Sequence, residues 1–159
     1  MLKTTYINIL VITSFTILSF KLQGQIYTGG SVGVHFENGY YAEAAPVVGY
    51  RYRIVDIGVS PFFSYRERQN QPDFYSYGNR IYTQITFIPQ VFGHAEFEVT
   101  NIEAAGRRKW IMGLPVGVGY RYKLSKNAEA YGMILYDVLL DKDSPVQNPI
   151  IRGGVNYRF

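Results

Sequence analysis

Between Trp110 and Tyr122 the chain reads WIMGLPVGVGYRY. Its even positions (Trp110, Met112, Leu114, Val116, Val118, Tyr120, Tyr122) are all apolar or aromatic. The odd positions, Ile111, Gly113, Pro115, Gly117, Gly119 and Arg121, are mostly small, with one charge. Alternation at 180° per residue marks a β-strand with two unlike faces. At 13 residues this run also exceeds the usual strand of about 5–6. The rhythm returns in Tyr40–Tyr52, where Tyr40, Ala42, Ala44, Pro46, Val48, Tyr50 and Tyr52 alternate with Tyr41, Glu43, Ala45, Val47, Gly49 and Arg51. It returns again in Ile151, Gly153, Val155, Tyr157 and Phe159, set against Arg152, Gly154, Asn156 and Arg158.

Eight such runs occur, at about 26–36, 40–52, 54–66, 79–92, 93–103, 109–122, 128–140 and 149–159. Most reach the ~9–11 residues that a tilted strand needs to cross a bilayer. Glu37-Asn38-Gly39 reads as a tight hairpin through an Asn-Gly turn. The other connections on that side, 67–78, 104–108 and 141–148, read as long and polar loops. Those at the opposite end, around Arg53, around Phe92-Gly93 and over 123–127, are short. Short turns at one end and longer loops at the other suit an up-and-down transmembrane β-barrel.

The charges share one face. Glu43, Arg51, Asp56, Arg66, Arg80, Glu96, Glu98, Arg121, Glu129, Asp137, Arg152 and Arg158 fall opposite the apolar face, among glycines and other small residues. Six acids and six arginines around a narrow lumen can pair, and an eight-stranded barrel leaves just enough interior for side chains. The competing arrangement is a soluble barrel of lipocalin type, with the apolar face inward. The Gly-x-Trp such a barrel would carry near its start is absent.

Ahead of the strands, Lys3 precedes an uncharged run of 12 residues, Ile9–Phe20, followed by Lys21, Gln23, Gly24 and Gln25. That run fits an export-signal core and falls short of the ~18 residues of a spanning helix. The expected division is therefore a signal peptide over 1–24 and a barrel over 25–159, with a retained N-terminal anchor as the alternative. Loss of Lys3 and Lys21 would lower the formal charge of +4 by two. The basic cluster Arg107-Arg108-Lys109 is too small for a nucleic-acid footprint. Without a single Cys, disulfide scaffolds, thiolate metal sites and a lipoprotein anchor are excluded.

Three runs close on nearly the same phrase: Gly49-Tyr50-Arg51-Tyr52, Gly119-Tyr120-Arg121-Tyr122 and Asn156-Tyr157-Arg158-Phe159. Tyr50, Tyr52, Tyr120, Tyr122 and Tyr157 read as an aromatic girdle at the short-turn end, with Phe36, Tyr40, Tyr65 and Trp110 marking the other. With its leader, alternating strands and a last strand ending in Tyr157 and Phe159, the chain resembles the small eight-stranded outer-membrane barrels of Gram-negative bacteria, the OmpA/OmpX/OmpW-like group. The resemblance implies an integral, porin-like outer-membrane protein whose terminal Tyr157 and Phe159 are read by the outer-membrane assembly machinery. Contact with outer-membrane lipid is expected with it, and the outward-facing Arg107-Arg108-Lys109 would meet lipopolysaccharide phosphates, with a generic solvated loop as the alternative. The resemblance does not select a function.

Chemistry is sparse. His35 and His94 fall near opposite ends of the barrel, so no metal centre and no cofactor are expected. His35, Glu37 and Ser64 or Ser144 could be cast as a lipid-active triad, but no spacing supports it. Glu96 and Glu98 share a strand face and read as a structural pair neutralised by Arg51, Arg80 and Arg121. Phe74, Tyr75 and Tyr77, with Arg107 and Arg108, read as outer-loop contact residues, with the three aromatics folded back onto the barrel rim as the equal alternative. The expected function is a non-enzymatic structural, binding or envelope-accessory barrel with a closed polar lumen and an unidentified envelope partner. The alternative is a narrow channel or small-molecule transporter, or a lipid-modifying enzyme at the rim.

Overall fold

The computed structural model describes residues 24–35, 40–68, 71–104, 107–139, 141, 144 and 148–159. The leader, apart from Gly24, and Phe36 lie outside them, as do the side chains of His35 and Phe74 and much of the 141–148 segment. The strand segments are β1 Gln25–His35, β2 Tyr40–Tyr52, β3 Val55–Arg68, β4 Gln71–Ile88, β5 Val91–Ala104, β6 Arg107–Gly113, β7 Pro115–Lys123, β8 Ala128–Asp137 and β9 Ile150–Arg158.

Each neighbour pairs antiparallel, and the ring closes because β1 pairs with both β2 and β9 while β4 pairs with β5. The segments β6 and β7 are halves of one barrel strand. Both pair with β5 in the same register, Glu98 opposite Gly113 and Ala95 opposite Val116, with an interruption at Leu114. Pro115 contributes no N–H there, and Asp137 Oδ1 accepts the Leu114 N–H at 2.8 Å. The result is a closed eight-stranded antiparallel barrel.

The alternation holds around the ring. Ile57, Val59, Phe63, Ile81, Ile85, Phe87, Met112, Val118, Ile134 and Ile151 all face outward and are exposed, Phe87 at 65%. Charged side chains, serines and asparagine are buried inside. This is the reverse of a soluble barrel, so the lipocalin-like arrangement does not apply.

Several connections differ from the sequence expectation. The 67–78 stretch is no long loop: β3 runs to Arg68 and β4 begins at Gln71. Tyr75 and Tyr77 therefore lie on a strand opposite Tyr65 and Phe63, and Arg107 and Arg108 likewise begin β6 rather than occupying a loop. Backbone pairing continues past the apolar band because a ladder needs hydrogen bonds, not apolar side chains. The turn expected at Phe92-Gly93 lies instead at Pro89-Gln90, which leaves Phe92 inside β5 and 1% exposed. The Arg53-Ile54 turn holds Arg53 at φ 55°, the left-handed region that glycine adopts with least strain.

Candidate functional site: the filled lumen

Inward-facing positions of seven strands converge on two clusters of ion pairs. At the centre, Arg80 on β4 donates from Nη1 and Nη2 to the two oxygens of Glu43 on β2, the first at 2.8 Å. Its Nε donates to Glu98 Oε2 at 2.6 Å. Arg152 on β9 donates to Glu96 and lies 3.4 Å from both Glu43 and Glu98. Tyr41 O–H donates to Glu43 at 2.8 Å, and Thr100 O–H to Glu98 at 2.6 Å. Three carboxylates thus share two guanidiniums, brought together from β2, β4, β5 and β9.

Nearer the short-turn end lies a second cluster. Arg51 grips Asp56 through Nε and Nη2, each at 2.6 Å, and reaches Glu129 at 3.0 Å. Arg158 donates to the same Glu129. Arg121 lies 3.5 Å from Asp56, which is fully buried. Here three guanidiniums face two carboxylates, the opposite imbalance from the centre.

Gln84 joins the two. Its carbonyl accepts from Arg121 Nη2 at 3.1 Å, and its amide contacts His94 Nδ1 at 3.1 Å. His94 Nε2 then meets Glu96 Oε2 at 2.9 Å. A donating Gln84 amide leaves Nδ1 as acceptor and Nε2–H as donor to Glu96, so one neutral tautomer satisfies both bonds. The histidine is buried and stacks on Tyr82 at 5.5 Å, a place in the chain of bonds that its isolated position in the sequence does not suggest.

Aromatic rings occupy what the charges leave. Tyr27 and Tyr82 share a 2.8 Å hydroxyl–hydroxyl bond across the lumen. Phe62 lies under the Arg80 guanidinium at 3.9 Å and Phe92 under Arg121 at 4.4 Å, both suited to cation–π contact. Glycines make the room, since a Cβ at Gly49 or Gly119 would strike the ring of Tyr27 or Phe92. Between these groups, the cavity bounded by Ser31, Tyr82, His94, Tyr131 and Asn156 measures only about 20 Å³, room for about one water.

The pairing within the lumen differs from the sequence expectation. Glu96 and Glu98 are met by Arg80 and Arg152, whereas Arg51 and Arg121 turn to Asp56 and Glu129. Asp137 is buried but, among the described residues, accepts backbone N–H bonds from Leu114 and Leu139 instead of joining the ion pairs. Arg66 is buried on β3. Tyr52, Tyr120, Tyr122 and Tyr157 stand on the outer wall at the short-turn end, where Phe159 meets Tyr157 edge-on at 5.5 Å. Tyr50 is half-buried and accepts the Gly24 N–H at 3.0 Å. At the other end Tyr75 stacks on Phe63, and Tyr77 packs edge-on against Trp110. Arg108 reaches over Tyr77 and donates to Asn101 at 3.0 Å.

No family model and no curated protein matches the sequence. Solved structures do. Neisserial surface protein A superimposes with a TM-score of 0.54 at 14% identity, covering 86% of this chain and 97% of that one. The N-terminal β-barrel domain of Pseudomonas aeruginosa OprF gives 0.53 at 16% identity, covering 86% and 100%. Ring closure, an apolar outer wall and a charged interior coincide with these superpositions, and the chain has the fold of the small eight-stranded outer-membrane β-barrels.

Proposed function

We propose that this chain is an integral outer-membrane protein of a Gram-negative bacterium that works through its ends and outer wall, without a conduit and without enzymatic chemistry. One observation carries the reading: a single hydrogen-bonded chain rises from Arg158 at the short-turn mouth through Glu129, Arg51, Asp56, Arg121, Gln84 and His94 to Glu96, where Arg152 and Arg80 continue it to Glu98 and Glu43 across the middle of the lumen. Moving an ion through would require breaking buried pairs, each costing about 3–5 kcal/mol when one partner loses the other. The exposed apolar wall has no favourable solvent except hydrocarbon or a partner.

Contact then falls to the two rims. The short-turn end is read as facing the periplasm, and the opposite end, which carries the long connection between β8 and β9, as facing the outside. There Arg107 and Arg108, beside Tyr75, Tyr77 and Trp110, suit the phosphates and acyl chains of lipopolysaccharide. Tyr157 and Phe159 expose an aromatic surface to the assembly machinery. The test is single-channel recording of purified protein in planar bilayers. No steady conductance is expected, and a large conductance would replace this reading with the channel alternative.

A further inference from the structure

The short-turn mouth carries more positive charge than the lumen network uses. A cavity of about 480 Å³ opens there, and its wall includes Arg51, Arg53, Arg121, Lys123 and Arg158 against one acid, Glu129. Asp56 lies behind it, bonded to Arg51 and Arg121. Five cations therefore face two carboxylates.

The surplus can be assigned to particular residues. Glu129 is taken by Arg51 and Arg158, and Asp56 by Arg51 and Arg121. Among the described residues, Arg53 and Lys123 have no acid within salt-bridge distance, and Arg121 makes its hydrogen bonds through Nη2 alone. Arg53 is held at φ 55°, a conformation costing an L-residue about 1–2 kcal/mol that glycine would largely avoid. Its guanidinium sits 5.4 Å over the Tyr52 ring, at the rim and away from the pairs below. A strained turn residue that is nonetheless a long cation makes a functional use of its side chain the physical expectation.

Guanidiniums match phosphate oxygens in pairs, and an ammonium adds a point charge. We infer that this mouth binds a phosphate-bearing anion, held by Arg53 and Lys123 at the rim and by Arg121 below. A cavity of this size holds a pyrophosphate or a lipid headgroup, and two sources offer that chemistry: a soluble phosphoester, or an anionic phospholipid at the barrel's edge. The inference concerns the mouth alone and stands apart from whether the lumen conducts.

The experiment is calorimetric titration of inorganic pyrophosphate into the full barrel in phosphatidylcholine nanodiscs. Saturable binding is expected, weakened at least about tenfold in the double variant Arg53→Ala with Lys123→Ala. Arg107→Ala with Arg108→Ala removes equal charge from the opposite end and should leave affinity within about twofold. Neither pair belongs to the ion network, and a mobility shift between unheated and boiled samples checks that each variant is folded. Nanodiscs containing phosphatidylglycerol separate the sources. Loss of pyrophosphate binding there identifies the lipid headgroup as occupant, and unchanged binding identifies a soluble phosphate. Absence of saturation up to about 10 mM pyrophosphate in phosphatidylcholine overturns the inference, as does equal weakening in both double variants.

Discussion

Arg80 is the residue whose loss should tell most about the lumen. It makes two hydrogen bonds to Glu43 and one to Glu98, lies 3.7 Å from Glu96 and rests on Phe62. Arg80→Met keeps much of the volume and removes the charge. Glu43, Glu96 and Glu98 are then left with Arg152 alone, so the central cluster gains one uncompensated buried negative charge. Breaking one side of a buried pair costs about 3–5 kcal/mol, or roughly two to three and a half powers of ten in the folding equilibrium. Glu43→Leu leaves Glu96 and Glu98 against Arg80 and Arg152, an even count, and should cost less, about 1–3 kcal/mol, for the Arg80 and Tyr41 donors it leaves unmet. The double variant restores the cluster's original balance, with Glu96 and Glu98 against Arg152, and should cost at least about 1 kcal/mol less than the two singles together. Urea unfolding in lipid vesicles, followed by the gel shift between folded and boiled protein, measures all three. A single-variant cost below about 1 kcal/mol, or strict additivity in the double, would refute the claim that the network is a mutually dependent structure.

Two further outcomes follow from the backbone. Gly119→Ala drives a methyl into the Phe92 ring and should cost about 1–3 kcal/mol in the same unfolding assay, whereas Gly132→Ala, with no close neighbour, should be neutral or slightly stabilising. Equal effects would mean the lumen is looser than described. Arg53→Gly should stabilise by about 0.5–1 kcal/mol through release of the left-handed strain, and Arg53→Ala, which keeps that strain, should not.

The outer wall was the legible part of the sequence. One rule, apolar at every second position, acts along all eight strands, and a slip of one residue would expose every charge, so parity alone sorts Trp110 from Ile111 and Tyr120 from Arg121. Where the wall ends, the rule stops applying. Residues 67–78 are polar enough to resemble a loop, yet Ser64–Ser76 and Tyr65–Tyr75 continue the ladder beyond the apolar band. The interior was legible as a set and not as pairs. Alternation puts Arg51, Arg80, Arg121 and Arg152 on one face, but the carboxylate each meets depends on the stagger of strands around the ring. A short-range reading therefore could not match Arg152 with Glu96, 56 residues earlier. Gln84 and His94 carry no charge pattern at all, and only their place between two oppositely unbalanced clusters makes them the joint.

The span of those pairs bears on how the molecule is built. Glu43, Arg80, Glu96 and Arg152 sit on β2, β4, β5 and β9, and Arg51 reaches Glu129 across 78 residues. Within an open sheet most of these groups are too far apart to meet, so they stay hydrated until the first and last strands zip together. Only the right seam, Gly30 opposite Val155 and Gly33 opposite Arg152, brings Arg152 inward to its acids; a slip by one would turn it toward hydrocarbon. The charges in the middle thus bear on the edge: a misregistered seam would leave Arg152 without Glu43, Glu96 and Glu98.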